Sequence, residues 1–162
     1  MSRGWNSVPD SDPVSRMGPT GDGMDEGLSG QRATAQSSVR VLVVDDTEHV
    51  RTLVADMLGL DGFHVVGTTD SGEAALEMAR QTDPHVVVMD LRMPGIGGIE
   101  ATRRLRAARP GQQVILYTAY VDAEVERQAE LAGAALCLGK VEGLPRLERE
   151  LVRLTLAVTR GL

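Results

Sequence analysis

From Val39 onward, short apolar runs alternate with amphipathic stretches, and almost every apolar run halts at a polar residue followed by turn formers. "VRVLVV" (39–44) is nearly all apolar, which predicts a strand covered on both faces, and it stops at Asp45 and Asp46. "EHVRTLVADMLG" (48–59) places Val50, Leu53, Val54, Met57 and Leu58 at helical spacing, with Gly59 as the expected stop. "HVVGTT" (64–69) reads as a second strand, and "SGEAALEMARQ" (71–81) as a helix opened by Ser71 and closed by Asp83 and Pro84. "HVVVMD" (85–90) is the third strand and "GIEATRRLRAAR" (98–109) the third helix, ended by Pro110. "QVILYTA" (113–119) is the fourth strand, and "DAEVERQAELAG" (122–133) a helix with Gly133 as its C-cap. "AALCL" (134–138) is a short fifth strand. "LPRLERELVRLTLAVTR" (144–160) carries Leu144, Leu147, Leu151, Leu154 and Val158 on one stripe. Core packing accounts for that stripe, while Val152 and Leu156 on a neighbouring line could serve a homodimer.

Strands alternating with helices predict an α/β fold: a doubly wound, five-stranded parallel sheet with helices on both faces. Folds of this kind bind ligands at the carboxyl ends of their strands.

The first 38 residues differ in texture. They are dense in Gly, Ser, Pro and Asp without apolar periodicity, which predicts a disordered extension ahead of a single domain over 39–162. Trp5 is the one large apolar group there, and Met17 and Met24 leave room for a later translation start. At 162 residues with 42% hydrophobic content the chain supports one packed core, and its aromatics, Trp5, Phe63, Tyr117 and Tyr120, are too few to make that core anything but aliphatic. A net charge of −6 argues against direct nucleic-acid binding. Cys137 is the sole cysteine, so no intrachain disulfide forms, and no run reaches signal-peptide or membrane-span length. Cytoplasmic residence and no membrane insertion are the expectations.

All but one of the 17 basic residues are arginine; the exception is Lys140. Lysine supplies a compact point charge that arginine does not. On the predicted parallel sheet, the strand ends bring together Asp45 and Asp46, Asp90, Thr118 and Lys140, with Thr68 and Thr69 farther out. Clustered carboxylates need a compensating cation. Oxygen ligands with no nearby Cys/His set suit Mg2+, and His49, His64 and His85 fall at unrelated places. Alone, Asp90 is a strand-end aspartate; in this company it is the expected nucleophile of phosphoryl transfer, with Mg2+ and Lys140 neutralising charge and Thr118 bonding a phosphoryl oxygen. Asp46 could cap the following helix as well. Cys137 reads as a small buried hydrophobe, Arg103, Arg104, Arg106 and Arg109 as a solvated helix face, and His49 as a surface residue.

"VLVVDD", "VVVMDLRMPG", "LYTA" and "GAALCLGK" in this order resemble the receiver domain of two-component response regulators, over about residues 39 to 160. The resemblance implies the flavodoxin-like strand order 2-1-3-4-5. It implies Asp90 as phosphoacceptor, Asp45 and Asp46 as the acidic pair for Mg2+ with the Arg92 carbonyl as a further ligand, Thr118 as the switch hydroxyl and Lys140 as the ammonium. It implies a histidine kinase or phosphotransfer protein upstream and a protein target downstream, contacted through the fourth helix, fifth strand and last helix. No enzyme activity is expected beyond slow self-catalysed phosphorylation and dephosphorylation. The family's aromatic in the fifth strand is Cys137 here, and its proline after the lysine is Val141, with Tyr120 in position to take part of the ring's role. The sequence ends within or just after the last predicted helix, so a stand-alone switch is the expectation. The alternatives are a phosphorylation-independent scaffold, favoured by Cys137 and Val141, or a phosphate sink.

Three other motifs fail. "GAALCLGKV" has five residues between its glycines where a P-loop has four, and Val141 stands where that loop needs Ser or Thr. No glycine-rich dinucleotide fingerprint follows the first strand. A haloacid-dehalogenase phosphatase needs a second Asp where Arg92 stands.

Overall fold

The computed structural model describes residues 39–160, and for 158–160 the backbone alone. The expectations for residues 1–38, Trp5 included, and for the side chain of Val158 lie outside the described residues.

Five strands, β1 (Arg40–Val44), β2 (His64–Thr69), β3 (Val86–Met89), β4 (Gln113–Thr118) and β5 (Leu136–Gly139), alternate with five helices, α1 (Glu48–Leu60), α2 (Gly72–Thr82), α3 (Gly98–Ala108), α4 (Ala123–Ala132) and α5 (Leu144–Arg160). A 3-10 turn, Lys140–Glu142, joins β5 to the last helix. All pairings are parallel, in the order β2-β1-β3-β4-β5, as the resemblance implied.

Alternate residues of each strand face opposite layers. Val41 and Val43, Val86 and Val88, Ile115 and Tyr117 pack with Val54 and Leu58 of α1 and Leu147 and Leu151 of α5. Leu42 and Val44, Val87 and Met89, Val114 and Leu116 face Ala75 and Ala79 of α2, Ala101 and Leu105 of α3 and Ala129 of α4. Apart from Leu105, the fully buried apolar contacts of the second layer's helices are alanines, which allows close approach. Such central strands, buried on both faces, account for the runs without alternation.

Several local expectations hold and several change. Ser71 caps α2 by accepting from Ala74 N, Asp122 caps α4 through Val125 N, and Gly133 ends α4 in the left-handed region (φ 92°). Gly59 is not the stop of α1: the helix continues through Leu60, and Gly62 takes the left-handed turn (φ 92°). Leu53, placed on the apolar face of α1, is 55% exposed, because the buried stripe is the narrower line through Val54 and Leu58. Val152 is half-buried against the core, whereas Leu156 is exposed, so the neighbouring line on α5 divides between core and solvent. The arginine face of α3 also divides. Arg103 and Arg104 pair with Glu100 in solvent, but Arg106 donates to the carbonyls of Pro110 and Gln112, and Arg109 pairs with Asp83. Arg40 holds the same Asp83 carboxylate, which clamps the edge of the sheet opposite the strand ends. Among the described residues no helix is long and apolar enough to cross a membrane.

Candidate functional site

Register decides which side chains meet at the carboxyl edge. Val44 pairs with Met89, so Asp45 and Asp90 are the next residues on adjacent strands, and Asp90 N donates to Val44 O at 2.9 Å. Thr118 pairs with Gly139, which sets Lys140 immediately beyond it. Asp45 N donates to Thr69 O (3.1 Å), tying the outer strand's end to the same edge.

Lys140 Nζ reaches back across the sheet to Asp45 Oδ2 at 2.7 Å and to Asp90 Oδ2 at 3.5 Å. The other oxygen of Asp45 accepts from Thr47 N (2.9 Å), and Arg51 Nη1 donates to the Asp45 carbonyl (2.7 Å). These bonds turn the chain from β1 into α1, and they correct the helix-cap expectation. The N-cap is Thr47, without a side-chain cap bond, and Asp46 is left exposed beside the site. Asp45, Asp90 and Thr118 are buried, and one carboxylate oxygen from each of Asp45, Asp46 and Asp90 lies within 4.8 Å of the others.

Burial lifts the proton affinity of the Asp90 carboxyl above the usual aspartate range, Lys140 draws it down, and Asp45 and Asp46 push it up again. The bond from the Leu91 N–H favours the charged form. Burial disfavours the ammonium of Lys140, yet its bond to Asp45 and the charges of Asp90 and Asp45 prevail, so it holds its proton more tightly than free lysine. The result is a nucleophile-sized carboxylate with a fixed cation beside it and surplus negative charge around it. Hard oxygen donors without His or Cys fit Mg2+, which favours one or two carboxylates and keeps waters for the rest.

Arg92 stands in the loop two residues past Asp90 with its side chain exposed. His49 is exposed, as expected. Cys137 is half-buried in the second layer, and burial followed by the charge of Glu126 pushes its thiol up, which suits an inert group. Tyr120 is 62% exposed on the loop after β4. The sequence placed Tyr117 in the fourth strand but not near the site: it is buried, and its phenol, pushed up by burial, senses both Lys140 and Asp45. Arg51 and Glu73 were also missed. Glu73 accepts from Ile96 N at 3.0 Å and so touches the loop that follows Asp90.

Residues 41–152 match the family model for the response regulator receiver domain. The chain belongs to the response-regulator receiver family. The receiver is similar to the response regulator GacA of Pseudomonas viridiflava, 44% identical over 123 residues, which is 75% of this chain and 57% of the relative. It spans about half the length of the curated relatives it matches. Among solved structures, the signal receiver domain of the putative response regulator NarL from Mycobacterium tuberculosis is 34% identical with TM-score 0.66, covering 76% of this chain and 98% of that one. The BeF3-activated DrrB receiver domain is 29% identical with TM-score 0.64, over 72% and 97%.

Proposed function

We propose that Asp90 of this receiver accepts a phosphoryl group from a histidine kinase or phosphotransfer protein, with Mg2+ at Asp45, Asp46, Asp90 and the Arg92 carbonyl. The observation that carries the reading is the reach of Lys140 to both Asp45 (2.7 Å) and Asp90 (3.5 Å) across three strands. A carboxylate oxygen of Asp90 forms the new bond to phosphorus as the donor's P–N bond breaks and the donor takes the electron pair, leaving an acyl phosphate on Asp90. Bound there, Mg2+ neutralises charge on the phosphoryl oxygens. Lys140 contributes fixed positive charge on the other side, and Thr118, at the end of β4, donates its hydroxyl to a phosphoryl oxygen. Water ends the phosphorylated state by attacking phosphorus: the bond between phosphorus and the Asp90 oxygen breaks, the carboxylate keeps the electron pair, and inorganic phosphate leaves.

The output is a change of protein–protein contacts at α4, β5 and α5, where Leu131 (72%) and Leu156 (52%) are exposed. Leu156 leaves room for a second copy along α5, although Val152 faces the core. The phosphorylation-independent scaffold is not favoured, since a scaffold has no need of a lysine held between buried carboxylates.

The test is an amide-shift map of the protein with beryllofluoride and Mg2+. Expected are changes at Leu91, Thr118, Lys140 and α4 that vanish in Asp90→Asn. Identical maps for the two proteins would overturn the reading.

A further inference from the structure

The loop after Asp90, residues 91–97, must hold the Arg92 carbonyl still if that carbonyl is to serve a metal, and its anchors are unequal. At its end Gly98 N donates to Leu91 O (2.8 Å), a bond within the loop's own base. The other anchor comes from a different layer element. The first turn of α2 presents Gly72 and Glu73 to the loop. A Cβ on Gly72 would lie 2.7 Å from Ile96 Cγ1 and 2.9 Å from Ile96 O, so only glycine lets the loop settle there. Glu73 Oε1 then accepts the Ile96 N–H at 3.0 Å, and Gly95, at φ 79°, turns the backbone so closely past that carboxylate that a Cβ would lie 2.5 Å from Oε1. The carboxylate thus sits where the left-handed Gly95 opens space for it, and its amide partner Ile96 is 23 positions away in sequence.

We propose that Glu73 is a positioning residue for the phosphoacceptor site: through the Ile96 N–H it fixes the 91–97 loop so that the Arg92 carbonyl and the Asp90 carboxylate meet the same Mg2+. This rests on the Mg2+ assignment proposed above. Glu73 is exposed and touches neither Asp90 nor the metal positions, so its effect travels through backbone geometry alone. Its charge faces Arg104 of α3, and the Ile96 bond, the largest influence on it, holds its carboxyl below the usual glutamate range. A carboxylate that keeps its charge keeps its acceptor strength throughout the neutral range.

The experiment compares the full chain with Glu73→Ala and Glu73→Gln, the latter retaining an acceptor oxygen. Calorimetric titration reads Mg2+ affinity, amide hydrogen exchange reads the Ile96 N–H, and urea midpoints control for stability. Glu73→Ala is expected to weaken Mg2+ binding about five- to tenfold and to speed Ile96 exchange about tenfold, with the urea midpoint nearly unchanged. Glu73→Gln should stay within about twofold of the parent, since neutral amide oxygens still accept. Equal Mg2+ affinity in parent and Glu73→Ala would overturn the positioning role while leaving the site reading intact. A parent that takes up no Mg2+ would overturn the site reading and the positioning role together, and the exchange rate of Ile96 separates that result from a missing hydrogen bond.

Discussion

Asp90→Asn should make this protein more stable, not less. The side chain keeps its shape and keeps an oxygen to accept the Leu91 N–H, so the change removes charge alone. At 3.5 Å and an effective dielectric of about 20, Lys140 attracts the Asp90 carboxylate by about 5 kcal/mol. Asp45, within 4.8 Å, repels it by at least about 3 kcal/mol, and Asp46, which faces water, by roughly 2 kcal/mol. Attraction and repulsion nearly cancel. What survives is the cost of ionising a group that is only 8% exposed, of which about 1–2 kcal/mol remains at an edge that water reaches. The sign with pH follows from the raised proton affinity of folded Asp90. The folded state binds this proton more tightly than the unfolded chain, so the penalty is complete above the folded pKa and absent below the unfolded value of about 4. Urea unfolding in chelator at pH 7 should therefore show a gain of about 1–2 kcal/mol for Asp90→Asn, roughly 4–8 °C in Tm, shrinking as pH falls toward 4. Excess Mg2+ should reverse the order by stabilising the parent through binding. A destabilised Asp90→Asn at pH 7 in chelator would refute the balance of charges argued here.

Other changes probe the remaining parts. Lys140→Met strands the buried Asp45 carboxylate, 5% exposed, without its 2.7 Å partner and should cost about 3 kcal/mol in urea unfolding; an unchanged midpoint would contradict the pairing. Gly98→Ala puts a Cβ 2.3 Å from Asp90 O, backbone against side chain with no room to yield, so a loss of about 2–3 kcal/mol and weakened Mg2+ binding by calorimetry are expected. Glu148 of α5 is pushed up to about 7 by burial and by its bond to Asp61 after α1. Its folded form binds the extra proton, so stability from this pair is greatest at low pH and declines as pH rises from about 4.5 to 7. With the water-facing cleft screening the pair, Glu148→Gln should gain about 1 kcal/mol at pH 8 and nothing at pH 4, read from urea midpoints at both.

The site was legible because parallel strands end at one edge: knowing that 45, 90, 118 and 140 each follow an apolar run is nearly enough to bring them together. Strand order came with the family resemblance, since alternation alone leaves several windings open. Features set by tertiary geometry were not legible. Asp46 sits at a cap-like position, but Asp45 takes the Thr47 N–H first and leaves Asp46 turned to the site. Gly59 resembles a helix stop, while the left-handed residue needed by the turn is Gly62. The arginines of α3 and its C-cap are one residue type with two fates, because Arg106 and Arg109 lie near the sheet edge where backbone carbonyls and Asp83 accept them. Glu73 lies in the first turn of α2, where acids are common; its partner is an amide 23 residues on, and no local pattern records that.

The central claim is that Asp90 carries the phosphoryl group. Intact mass of the protein after incubation with Mg2+ and acetyl phosphate tests it most directly, with Asp90→Asn and excess chelator alongside. A single phosphoryl adduct on the parent, absent from both controls, is the predicted result. An adduct that persists in Asp90→Asn, or that forms as readily in chelator, would contradict it.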